Sequence, residues 1–136
     1  MPDGGTPLAA KLGISAGSRL VLIDAPDGVL GELPAGVAVG YRARGAADVV
    51  VAFFTERSNL ERRIRPLARM VFPGAALWIA WPKRAAGVPT TVTADVVRRV
   101  VLPLGLVDNK VCAIDGTWTG LRVVWRRQVR SRSGPG

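Results

Sequence analysis

Two stretches of the chain are apolar at every position, Val49–Phe54 and Ala75–Trp81. A strand with no polar face must be covered on both sides, which is the mark of a parallel sheet clad by helices. Between the two runs the period lengthens to that of a helix. Leu60, Ile64, Leu67, Ala68 and Val71 fall on one stripe, and Arg62, Arg63, Arg65 and Arg69 lie largely off it. Ser58 with Glu61 three residues on has the spacing of a capping box. The pattern predicts a helix from Ser58, kinked at Pro66, that gives way to the turn Phe72-Pro73-Gly74. Strand, helix, turn and strand in this order form a βαβ unit.

The flanking segments extend the same logic. Pro7–Leu12 predicts a short helix with Thr6 as its cap, Pro7 at its first position and Gly13 as its stop. Arg19–Ile23 is a short apolar strand leading into the loop Asp24-Ala25-Pro26-Asp27-Gly28. Val29–Leu33 fits one turn of helix before Pro34, and Val37–Tyr41 alternates weakly as a strand. Pro82–Val92 is a loop rich in turn formers. Thr93 then caps a helix through Leu102 with Val96, Val97, Val100 and Val101 as its apolar stripe, ended by Pro103 and Gly105. Lys110–Ile114 and Leu121–Trp125 form an antiparallel pair across the loop 115–120. The expected architecture is α/β: a single domain over residues 1–127 with a three-layer, Rossmann-like sheet, mostly parallel, closed by that pair. Residues 128–136 are expected to be a disordered basic tail.

Composition narrows the function classes. The apolar runs are strand-sized and far shorter than a membrane span, so no membrane partner is expected. Met1–Gly5 has neither the basic nor the apolar region of a signal peptide, and Cys112 is the only cysteine. A reducing, cytoplasmic setting follows as the expectation. There is no histidine, which removes the usual general base and the commonest metal ligand. No metal and no cofactor are expected. The net charge of +9 points to an anionic partner, but the tail concentrates part of it in Arg126, Arg127, Arg130 and Arg132. Without these four, 15 basic residues face 10 acidic ones.

Ligands of open parallel sheets bind beyond the carboxyl ends of the strands. That rule selects Asp24, Asp27, Thr55, Trp81, Lys83, Arg84 and Thr90 as candidate ligand contacts. Trp81-Pro82-Lys83-Arg84 with Gly87-Val88-Pro89-Thr90-Thr91 offers an aromatic surface, two cations and a helix start that favours an anion. The competing account is a tight strand-to-helix loop with its Trp in the core. Asp24 and Asp27 form either a carboxylate pair or an ordinary turn, for which Asp-Ala-Pro-Asp-Gly is well suited. Cys112 lies within an apolar strand, as an inert core thiol does. Trp78 and Trp81 should point to opposite faces of their strand. Arg and Trp interleave over Trp118–Arg127, so Arg126, Arg127 and Arg130 are candidate nucleic-acid contacts. The alternative there is an edge strand that uses arginines to block edge pairing.

The order Asp48–Phe54, Ser58–Val71, Pro73-Gly74, Ala75–Trp81, Thr93–Leu104, Gly105, Lys110–Ile114 and Leu121–Trp125 resembles the second half of a class I S-adenosylmethionine-dependent methyltransferase. The resemblance covers about two thirds of the chain, is fold-level, and implies the Rossmann-like sheet. The first third departs from that family's pattern. After the first strand the family has a glycine-rich turn, whereas this chain has Asp24-Ala25-Pro26-Asp27-Gly28. Its second strand ends in Tyr41-Arg42, without the acidic residue that holds the cofactor ribose. The resemblance thus implies a trimmed scaffold without the cofactor loop.

More closely, Leu8–Gly17, Leu77–Lys83, Gly87–Thr90, Leu102–Val111, Asp115 and Trp118–Arg126 resemble a family of short bacterial proteins defined as a domain of unknown function. That likeness implies no activity. The expected role is a non-catalytic binding or interaction module with an anionic small molecule or a protein as partner. A small enzyme acting on an anionic metabolite at the strand ends, with Lys83 and Arg84 on the anion and Asp24 or Asp27 as base, stays open. So does nucleic-acid association through the C-terminus.

Overall fold

The computed structural model describes residues 7–130, with Arg130 by its backbone alone. Elements follow in the order α1 (Leu8–Lys11), β1 (Arg19–Ile23), β2 (Ala38–Gly40), β3 (Val49–Phe53), α2 (Arg57–Met70), β4 (Ala76–Pro82), α3 (Ala94–Val101), β5 (Leu106–Ala113), β6 (Trp118–Trp125) and α4 (Arg127–Arg130). The strands make one six-stranded sheet in the order β2-β1-β3-β4-β6-β5. β1 to β4 are mutually parallel, and β6 runs antiparallel between β4 and β5. The α/β, mostly parallel architecture is as the hydrophobic pattern predicts.

β3 and β4 are buried at every residue because both sides of the sheet are covered. On one side Val50, Ala52, Leu77, Ile79, Leu121 and Val123 pack against Leu60, Ile64 and Leu67 of α2 and Val97 and Val101 of α3. On the other, Leu20, Val51, Phe53, Trp78 and Ala80 meet Ala9 of α1 and Leu12 just after it, together with Ile14 and Leu30. This third layer is thin: one four-residue helix and the irregular stretch after β1. The turn of helix expected over Val29–Leu33 does not form. Two successive turns replace it, closed by Val29 N–H on the Pro26 carbonyl (3.2 Å) and Gly31 N–H on the Gly28 carbonyl (3.0 Å). Pro26, Pro34 and three glycines leave too little helix-forming chain there.

The helix boundaries carry further corrections. α2 begins at Arg57, with Glu56 at its N-cap making no side-chain cap, so the Ser58–Glu61 capping box is not formed. Glu61 instead pairs with Arg57 one turn back, at 3.0 Å. The helix continues through Pro66, whose ring lies on the exposed side. Each apolar side chain fully buried by α2 is worth about 1.5–3 kcal/mol, more than the ~1 kcal/mol of a typical cap, so packing rather than capping holds this helix. At α3 the expected cap is present: Thr93 Oγ1 accepts from Val96 N–H at 3.2 Å. At the other end of the chain, α1 is preceded by Pro7 with no side-chain cap, and Thr6 lies outside the described residues.

The C-terminal hairpin is longer than its apolar runs. β5 starts at Leu106 and β6 at Trp118, leaving only 114–117 as its loop. Trp118 is therefore a strand residue opposite Pro82, with its ring edge-on to Phe53 at 5.1 Å. β6 is an interior strand and not an edge, because Leu121, Val123 and Trp125 supply the helix-covered face between β4 and β5. Arg127–Arg130 form the helical turn α4, with Val129 packed against the core. The remaining tail, including Arg132, is outside the described residues.

Candidate functional site

The chain leaves β1 outward to β2 and then returns past β1 to β3, so strand order reverses between β1 and β3. The crevice beyond Ile23 and Phe53 is where a ligand of such a sheet is expected. Asp24 stands at its entrance with φ 55°, the only described non-glycine residue with positive φ. Aspartate tolerates this left-handed conformation better than most residues because its short polar side chain bonds locally. Here the carboxylate accepts from Arg63 Nη1 of α2 at 2.9 Å. Asp27, in the turn that follows, is exposed and makes no ion pair among the described residues. The two aspartates are thus differently engaged: one is tied to α2 and the other is free in solvent. Arg63, placed among the polar residues of the helix stripe, is the partner that the sequence left unassigned.

Beside the crevice, Thr55 and Thr90 are brought into contact. Thr90 Oγ1 donates to the Thr55 carbonyl at 2.7 Å, and Thr91 N–H donates to the same oxygen at 2.9 Å. Thr91 Oγ1 then accepts the Arg57 N–H at 2.6 Å and donates to Glu56 at 3.4 Å. The start of α2 is therefore capped from a distant loop, which no local spacing could reveal. Thr91→Val is expected to cost about 1 kcal/mol, the usual worth of such a cap. Denaturant unfolding checks it. An unchanged midpoint would mean that water serves the Arg57 N–H equally well.

Trp81 points into the helix-side core at 8% exposure, so its ring is no binding surface. Trp78 lies on the opposite face, as the strand period requires. Lys83 is half-buried and Arg84 exposed, both after β4; the Lys83 N–H donates to the Thr117 carbonyl of the β5–β6 hairpin at 2.7 Å. No hydrogen bond or ion pair joins them to Asp24 or Thr55. The seven rim candidates thus fall into separate groups: Asp24 with Arg63, Thr55 with Thr90, and Lys83 with the hairpin. Cys112 is buried. Among the described residues, no group of three His, Cys, Asp or Glu side chains is placed to hold a metal ion.

At the opposite end of the sheet, Arg126 and Arg127 are exposed and the Arg126 N–H donates to the Gly105 carbonyl at 2.9 Å. Arg98 of α3 pairs with Asp108 of β5 at 3.1 Å and with Asp95 at 3.3 Å. The hydrogen bond to Asp108, and then that carboxylate's charge, hold the Arg98 guanidinium above its ordinary value. A raised arginine stabilises at every pH below its unfolded value and loses this only as pH rises through the folded one, so neutral solution sees no titration of it. No described helix is long and apolar enough to cross a membrane.

The chain matches no protein-family model and no curated protein. Its fold does have solved counterparts. It is similar to a magnesium protoporphyrin IX methyltransferase from Synechocystis PCC 6803 solved with bound SAH, with TM-score 0.57 and 11% identity over 88% of this chain and 78% of that one. It is similar to an SAM-dependent methyltransferase from Aquifex aeolicus, with TM-score 0.53 and 13% identity over 84% and 85%. A fibrillarin pre-rRNA processing protein from Methanococcus jannaschii gives TM-score 0.55 and 12% identity over 89% and 69%. The class the fold defines is methyltransferase-like α/β. At such identities the likeness is one of scaffold, and chemistry has to be argued from the residues at the strand ends.

Proposed function

We propose that the chain is a non-catalytic binding or interaction module, cytoplasmic, built on a methyltransferase-like scaffold whose cofactor crevice is closed. The observation that carries the reading is the Asp24–Arg63 ion pair at 2.9 Å, which spans the strand ends at the point where strand order reverses. A cofactor approaching the backbone after β1 would need a slim, glycine-like turn. This chain offers instead a left-handed Asp24 tethered to α2 and then Pro26. β2 is only three residues long and leads into Tyr41, with no carboxylate at its end for a ribose. These residues do not fit an S-adenosyl group. The finer likeness to short bacterial domains of unknown function adds no activity to set against this.

The enzyme alternative loses Asp24 for the same reason, since as a base it would first have to leave Arg63, and is left with Asp27 in the exposed turn. The pair itself is half-exposed and adds little stability, so its bearing is on access and not on folding. Thermal unfolding of the full chain with millimolar S-adenosylmethionine or S-adenosylhomocysteine tests the reading. The expected result is an unchanged midpoint. Saturating binding at 100 times Kd would add about 2.7 kcal/mol, or several degrees for a domain of this size, and such a shift would overturn it.

A further inference from the structure

We infer that a second face of the molecule, the groove between α1 and the β5–β6 edge of the sheet, binds a phosphate group. The inference goes beyond the closed crevice and rests on the binding-module reading only for the premise that the chain has a ligand. The groove is lined by Ala10, Lys11, Leu12 and Gly13 from the end of α1 and by Asn109, Lys110 and Arg122 from the hairpin. Three basic residues from three elements, up to 111 positions apart in sequence, line it, and no described carboxylate does.

The hairpin register makes this assembly costly. Lys110 and Arg122 are direct cross-strand partners. Like charges placed directly opposite each other destabilise a sheet, so an unneutralised pair is held there against its own repulsion. A bulge enforces it: Asp108 pairs with Val123 and Lys110 with Arg122, leaving Asn109 as the extra residue. Bulges re-aim side chains and recur beside binding sites. Here Asn109 Oδ1 accepts from Arg122 Nη1 at 3.2 Å and orients the guanidinium. Lys110 Nζ lies 3.5 Å from the Lys11 carbonyl, which draws its ammonium over the end of α1. The neighbouring acid, Asp108, is taken up by Arg98 of α3, which packs on the opposite face of the sheet.

Edge protection accounts for Lys110, since β5 is an edge strand. It does not account for an arginine on the interior strand β6 facing that lysine. The Arg122 guanidinium, the Lys110 ammonium and the Asn109 amide together present more donors than one carboxylate accepts. They suit the three oxygens and near-double charge of a phosphate. The phosphate belongs either to a small phosphorylated molecule or to a nucleic-acid backbone.

Titration of the isotopically labelled full chain with sodium pyrophosphate, followed by amide NMR, tests the site. Gly13, Asn109, Lys110 and Arg122 are expected to shift together. Lys110→Glu and Arg122→Gln are each expected to weaken binding at least about tenfold, the worth of a charged hydrogen bond, while Lys83→Ala leaves it unchanged. Lys110 is exposed, so its variant should unfold near the parent temperature and report binding alone. A short single-stranded oligonucleotide that displaces pyrophosphate, and loses this ability in Lys110→Glu, assigns the phosphate to nucleic acid. Failure to displace assigns it to a small molecule. Equal binding by parent and Lys110→Glu, or shifts confined to other arginines, would overturn the site. Either outcome leaves the S-adenosyl result at the crevice untouched, so the two readings fail separately.

Discussion

Trp78→Ala is expected to remove about 3–5 kcal/mol of stability, the largest single-site loss in the molecule. Trp78 is fully buried on the α1 side of the sheet, and its indole Nε1–H donates to the Leu12 carbonyl at 2.9 Å. That bond fastens α1, which has only four residues and no side-chain cap of its own. A helix so short has no independent stability, so its place depends on the tryptophan beneath it. The substitution leaves a cavity under the thinnest layer of the fold and an unpaired carbonyl at its edge. Against a total stability of some 5–15 kcal/mol for a domain of ordinary size, such a loss consumes a large share. Chemical denaturation gives the magnitude, and hydrogen exchange over 8–14 should show protection lost there first. Trp78→Phe separates the two terms by keeping most of the ring volume and removing only the hydrogen bond, for a loss of about 1–3 kcal/mol. Equal losses in both variants would place the whole effect in the hydrogen bond.

Trp125→Ala should rank close behind, at about 3–5 kcal/mol, for a matching reason on the other face. Its Nε1–H donates to the Ala68 carbonyl in α2 at 2.9 Å, and Phe72 meets its ring edge-on at 5.5 Å. The last strand is thereby bound to the C-terminal turn of the helix that begins the β3–β4 crossover. Gly105 abuts the same ring, with space for a Cβ only 3.4 Å from Trp125 Cζ3 and 3.1 Å from Val129 Cγ2. Removing the indole therefore also loosens α4. Trp125→Phe should keep part of the edge-to-face contact, and double-mutant analysis with Phe72→Leu should recover a coupling of about 0.5–1.5 kcal/mol. Additive losses would show that the two rings act independently.

Both tryptophans were visible as strand residues, and the face that each occupies follows from the two-residue period of a strand. Their partners were not visible. Trp78 bonds to a carbonyl 66 residues away and Trp125 to one 57 residues away. The same divide runs through the candidate sites. Asp24 was readable as the residue after the first strand, but Arg63 was one of several arginines on the polar side of a helix. Nothing local marked it as the one facing the crevice. The strand-end rule selects Thr90 as a ligand contact, but gives no hint that its hydroxyl serves the Thr55 carbonyl or that its neighbour Thr91 caps α2. Lys11, Asn109, Lys110 and Arg122 carried no signal because their meeting depends on a hairpin bulge and a helix at the far end of the chain.

The sequence by itself determined the class of fold. Runs such as Val49–Phe54 and Ala75–Trp81 permit no exposed face, and the stripe from Leu60 to Val71 permits only a helix packed on one side. These are statements about hydrophobic burial with the period of each element, and burial is proportional to area wherever the partners come from. Only the tertiary structure decided that Trp118–Trp125 is an interior strand, that Asp24 is held by Arg63, and that Lys110 faces Arg122. Those outcomes are set by directional contacts between residues distant in sequence, and a hydrogen bond or ion pair has no period along the chain.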